Sequence, residues 1–154
     1  MKNSPLQLLR YFIPEISFSA NPSFDSNKEC DTAMEEFSVE TAVNRQTAPK
    51  GFPGHSWTIE MKISQGIKEG KNFPYRFKLV ILGMFAFLDE ALAEEKETQF
   101  VRVNGSSILY GAAREVLRST TALGPWDALI IPGISFYEKQ LVQKEEAAPV
   151  QESD

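Results

Sequence analysis

The sequence predicts an α+β fold. Strand-like alternation fills most of residues 6 to 87, a helical period replaces it after Asp89, and Gly124-Pro125 marks where the main helix stops. At 154 residues the chain is one domain's worth, expected over residues 1 to 146 with residues 147 to 154 a disordered tail.

The first strand is expected over residues 6 to 20. Leu8 and Phe12 are assigned to one face, as are Ile16 and Phe18, while Arg10 interrupts the pattern. Pro14 has no N–H to give to a ladder, so the strand is bulged or lies at an edge. Asn21-Pro22 and Asp25-Ser26-Asn27 are turn formers, and residues 21 to 35 read as a long crossing loop. A second strand is expected from Glu36 to Gln46. The third is clearer, because Trp57, Ile59, Met61 and Ile63 alternate with Thr58, Glu60, Lys62 and Ser64. A hairpin through residues 68 to 72 leads to a fourth strand from Phe73 to about Phe87, its first half one-sided and its second half apolar on both faces.

Asp89, Glu90, Glu94, Glu95 and Glu97 suit a short helix with a solvated acidic face. Asn104 and Ser106 are good N-caps for the main helix. Ile108, Ala112, Val116 and Thr120 form one row on it; Leu109, Ala113, Leu117 and Thr121 form the next. The stripe is broader than one sheet face needs, which points to packing on a symmetry mate through Ile108, Ala112 and Val116. Residues 126 to 137 are very apolar for a connection, so they either seal the core or wall a binding groove. A short terminal helix is expected from Phe136 to Glu146.

Composition narrows the function. Hydrophobic residues make up 42% and charged residues 24%, the balance of a globular protein rather than a disordered one. A net charge of -5 without a basic run argues against a nucleic-acid partner. The single cysteine, Cys30, cannot close an intrachain disulfide, and neither a signal peptide nor a spanning apolar run is evident; a cytoplasmic protein without membrane insertion is expected. One histidine and one cysteine cannot build a His/Cys zinc site, and no phosphate loop or dinucleotide fingerprint is present. His55 lies in an expected turn with no nucleophile or orienting carboxylate placed beside it by any motif, and Glu35-Glu36 reads as a solvated pair. No catalytic residue, metal or cofactor is expected. Eleven Phe residues suggest that some line an apolar surface.

The stretch Val103-Asn104-Gly105-Ser106-Ser107-Ile108-Leu109-Tyr110-Gly111-Ala112-Ala113-Arg114-Glu115 resembles the signature that opens the long helix of the SecB export-chaperone family, with Gly111 where the family has Pro. Gly124 and Leu129-Ile130-Ile131-Pro132-Gly133-Ile134-Ser135-Phe136 resemble its glycine and following loop, and Ile16 to Pro22 is similar to its first strand. The resemblance covers about residues 6 to 146. It implies a four-stranded antiparallel sheet with helices packed on one face, assembled as a dimer of dimers, a homotetramer. Unfolded polypeptide would be held in apolar grooves; Phe12, Phe18, Trp126, Leu129, Ile130, Ile131 and Phe136 are the expected client-binding residues. At the family's docking surface for the SecA motor, Glu15 is kept, but Ser19, Arg76 and Lys78 depart from the pattern, which argues against SecA binding and for the branch that protects an antitoxin in toxin–antitoxin systems, with its link to antiviral defence. The rivals are a general export chaperone and, from another class, a structural or ligand-binding domain whose apolar loop is simply core.

Overall fold

The computed structural model describes residues 1–31 and 37–137. Four strands form one antiparallel sheet: β1 (Leu6–Ala20), β2 (Ser38–Gln46), β3 (His55–Gln65) and β4 (Tyr75–Phe87), in the spatial order β1-β4-β3-β2. Two hairpins join β2, β3 and β4, while β1 crosses to the far edge of the sheet, so the segment from Asn21 onward is the long connection the turn formers predicted.

Alternation fixes which face each strand buries. On β3, Ile59, Met61 and Ile63 are fully buried and Trp57 nearly so, while Thr58, Glu60, Lys62 and Ser64 face the other side. On β4, Tyr75, Phe77, Leu79, Ile81, Phe85 and Phe87 share that buried face. The opposite face of β4 is mixed: Val80 and Ala86 are buried, Leu82 is half-buried and Met84 is exposed. The expected two-sided burial of the second half is therefore only partial.

β1 breaks register between Leu8 and Arg10 and again between Phe12 and Glu15. The second break is at Pro14, as an edge strand without that ladder donor requires. The first was not foreseen and changes the faces. Leu8 pairs with Phe85 on the core side, whereas Phe12 pairs with Leu82 on the outer side, so the two do not share a face.

The helices cover the core face. α1 (Glu94–Phe100) runs through a five-residue π-helical segment (Val101–Gly105) straight into α2 (Ser106–Thr121). Neither Asn104 nor Ser106 is an N-cap, because the backbone is already helical there. Asn104 Nδ2 instead donates to Phe100 O, four residues back. On α2, Leu109, Ala113, Leu117 and Thr121 are buried against the sheet. Burial of a Leu-sized side chain contributes about 1.5–3 kcal/mol. Gly83 permits the close approach: a Cβ there would lie 2.8 Å from Phe85 Cε2 and 2.9 Å from Leu109 Cδ1. The parallel row Ile108, Ala112, Val116 and Thr120 flanks this seam and is only partly covered, with Ile108 40% exposed. Phe136 and Tyr137 begin a further helical turn; the remainder of the expected terminal helix, the tail and Glu35-Glu36 lie outside the described residues. Among the described residues no helix is long and apolar enough to cross a membrane.

Candidate functional site

The apolar segment after α2 has no strand partner, so its backbone groups must be satisfied some other way. Four side chains do this. Thr121 Oγ1 accepts from Leu129 N at 2.8 Å and donates to Leu117 O at 2.7 Å. Tyr75 Oη donates to Trp126 O and accepts from Trp126 N, both at 2.9 Å. Arg114 Nε donates to Ile131 O at 2.9 Å, and Tyr110 Oη to Pro132 O at 2.6 Å. Burial pushes the Tyr110 phenol up to about 12, the nearby Arg114 opposing, so Tyr110 remains a donor across the physiological range. Gly124 lets the chain pass Tyr75, since a Cβ there would sit 2.6 Å from its hydroxyl.

These tethers set the direction of each side chain. Leu129 and Ile131 turn inward, 4% and 2% exposed, and Ile130 between them is 65% exposed. Trp126 is half-buried and stacks edge-on against Phe24 of the crossing loop, ring centroids 5.3 Å apart. Between the two loops lies a groove of about 530 Å³, walled by Phe24, Ser26, Lys28 and Cys30 on one side, Pro125 to Ile130 on the other, and Pro74 between.

The crossing loop is held by one hub. Asn72 Oδ1 accepts from Asp25 N at 2.9 Å, and its Nδ2 donates to the carbonyls of Asp25 and Glu29 at 3.0 and 3.1 Å. The Asn72 backbone N–H donates to the Asp31 carboxylate. Asn21 Nδ2 adds a bond to Phe73 O at 2.8 Å. Both walls are thus pinned to the start of β4.

The groove's chemistry is one of adhesion. Lys28 is paired with Asp25 at 3.5 Å. Burial, then Asp31, pushes the Cys30 thiol up, away from a reactive thiolate. Trp126 Nε1 is buried and has no hydrogen-bond partner among the described residues.

Of the residues predicted to touch a client, Trp126, Leu129 and Ile130 line this groove. Ile131 and Phe136 are core residues, 2% and 5% exposed; Phe136 packs edge-on against Tyr110. Their burial follows from alternation along a loop pinned at both ends. Phe18 is half-buried, edge-on to Tyr75 at 5.8 Å, and belongs to the core's margin. Phe12 lies on the opposite face of the sheet, away from the groove, because of the bulge before Arg10. The residues that sequence reading missed are Tyr75, Asn72, Phe24 and Thr121. The apolar run after Gly124, which needed backbone partners from somewhere, was the one signal pointing toward them.

One expectation about His55 fails. Its Nδ1 lies 2.8 Å from Glu97 Oε2, and Trp57 Nε1 donates to Glu97 Oε1 at 2.7 Å. Glu97 is therefore not on a solvated helix face; it is fully buried, and the two donors from β3 are what make that burial tolerable. His55 does have an orienting carboxylate, but the pair fastens α1 to the sheet, and no group of three or more potential metal ligands occurs among the described residues.

Tyr75→Phe tests the tether directly. It leaves the Trp126 N–H and C=O unpaired and is expected to lower stability by about 1–3 kcal/mol, read from urea melts, with a matching rise in proteolytic cutting of residues 123 to 131.

Neither a family model nor a curated protein matches the sequence. Solved structures do. A SecB-like chaperone of Mycobacterium tuberculosis, solved in complex with a ChAD peptide from the HigA1 antitoxin, superposes with a TM-score of 0.56 at 13% identity, over 84% of this chain and 91% of that one. The fold is that of a SecB-like chaperone. The sheet order and the helix packed on one face make up this SecB-like fold, as the resemblance implied. A protein of unknown function from Streptococcus agalactiae overlaps with a TM-score of 0.49 at 8% identity, covering 82% of this chain and 96% of that one.

Proposed function

We propose that this chain is a non-enzymatic holdase chaperone of the SecB-like type, cytoplasmic, that holds unfolded polypeptide in the groove beside Trp126 and Ile130. The observation that carries this reading is Ile130. It is 65% exposed and continuous with Trp126 and Phe24 along one groove of about 530 Å³, an apolar patch rather than a lone exposed side chain. Trp126 and Phe24 supply aromatic walls that accept many side chains. The client is an antitoxin. Supporting this, the similar M. tuberculosis chaperone was solved with an antitoxin peptide, and Arg76 and Lys78 place two cations where a basic motor such as SecA would have to dock. The test is a light-scattering assay in which an antitoxin aggregates with and without the chain. Suppression at near-stoichiometric ratio supports the proposal; unchanged aggregation contradicts it.

The working form is a homotetramer, a dimer of dimers, with Ile108, Ala112 and Val116 at a subunit contact. Their partly covered row supports this, and Gly111 beside it leaves open space that another helix could enter. Ala112→Arg puts a charge into that contact, and multi-angle light scattering is expected to show smaller species. An unchanged tetramer mass in a folded variant would count against the assignment.

A further inference from the structure

The face of the sheet away from the helices carries a second feature, independent of the groove. The register lays Ser17, Lys78 and Ser64 in one row across β1, β4 and β3, with Ser19 and Arg76 paired in the neighbouring row. These residues line a depression of about 470 Å³. Lys78 reaches Glu15 at 3.1 Å, but Arg76 has no acidic partner among the described residues. Beyond the depression the same face runs into Val80, Leu82, Phe12 and Met84, and Arg10 lies over the Phe12 ring at 5.8 Å.

Charge is unevenly spread over this face. The β1–β4 half holds Arg10, Arg76 and Lys78 against Glu15 alone. The β2–β3 half holds Glu40 and Glu60 against Lys62, which is itself paired with Glu60 at 3.5 Å. In a chain of net charge -5, a cationic, hydroxyl-lined dish continuous with exposed apolar side chains is not explained by solubility. A guanidinium fork flanked by serine hydroxyls matches a carboxylate, and the adjoining apolar track matches side chains on either side of it.

We infer that the β1–β4 outer face is a docking surface for an acidic, amphipathic segment of a partner polypeptide, its carboxylate held by Arg76 with Ser17, Ser19 and Ser64 and its apolar residues laid along Leu82, Phe12 and Met84. This surface lies on the other side of the sheet from the helices, so a client and this partner can be held together.

The test uses two fluorescein-labelled synthetic peptides that alternate leucine with either glutamate or lysine, titrated against the full chain by fluorescence anisotropy. The glutamate peptide should bind and the lysine peptide should not. Raising salt from roughly 50 to 300 mM should weaken binding several-fold. Arg76→Glu with Lys78→Glu should weaken it about tenfold or more, with the protein still folded and its melting temperature little changed, because both side chains are exposed and the Lys78–Glu15 pair that is lost is a surface one. An excess of an uncharged apolar peptide should leave the glutamate peptide bound. The inference is overturned if the lysine peptide binds equally well, if the double variant binds as wild type does, or if the apolar peptide displaces the probe, which would place it in the groove.

Discussion

Replacing His55 by alanine is expected to cost about 2–4 kcal/mol of stability and to loosen α1 from the sheet. Glu97 is fully buried and, among the described residues, its carboxylate holds two side-chain donors, His55 Nδ1 and Trp57 Nε1. Removing one leaves a buried carboxylate half-satisfied, a larger penalty than any contact the imidazole itself makes. The His55 side chain is 27% exposed, which keeps the figure below that of a fully enclosed pair. Glu97→Gln combined with His55→Ala should recover part of the loss, because a neutral amide can still accept from Trp57. Chemical denaturation with tryptophan fluorescence reads both variants. A His55→Ala protein as stable as wild type would show that the carboxylate finds another partner.

The second large effect separates two neighbours. Ile131→Ser should destabilise the chain by about 3–4 kcal/mol, since Ile131 is 2% exposed and the change both opens a cavity and buries a hydroxyl. Ile130→Ser, one residue away, should shift stability by no more than about 0.5 kcal/mol, the range for exposed positions. Thermal melts of the two variants side by side decide it. Equal losses would mean that the loop faces inward throughout and that the groove is not built as described.

These two sites mark what the sequence could and could not disclose. β3 was legible because Trp57, Ile59, Met61 and Ile63 alternate without interruption, and period alone assigns their face. β1 was legible as a strand, yet the faces of Leu8 and Phe12 were not. A bulge adds one residue without any composition signal, and the residues beyond it change side until the second break at Pro14 changes them back. The start of α2 was misread because Asn104 and Ser106 have the chemistry of caps; the π-helical segment that carries α1 into α2 removes the need for one. The groove was half legible. An apolar stretch after Gly124 flagged the region, but which residues face outward depends on Tyr75, 51 residues away from Trp126, and on the Asn72 hub. The Glu97 anchor was invisible for the same reason, its donors lying 40 and 42 residues distant.

The central claim is that the lip at Ile130 holds unfolded polypeptide, and one titration tests it most directly. An unfolded, labelled client segment is titrated by isothermal calorimetry into wild-type chain and into Ile130→Ser at a temperature well below both melts. The account predicts that binding weakens by about 1–2 kcal/mol in the variant while its melting temperature stays near that of wild type. Equal affinity for the two proteins would contradict it.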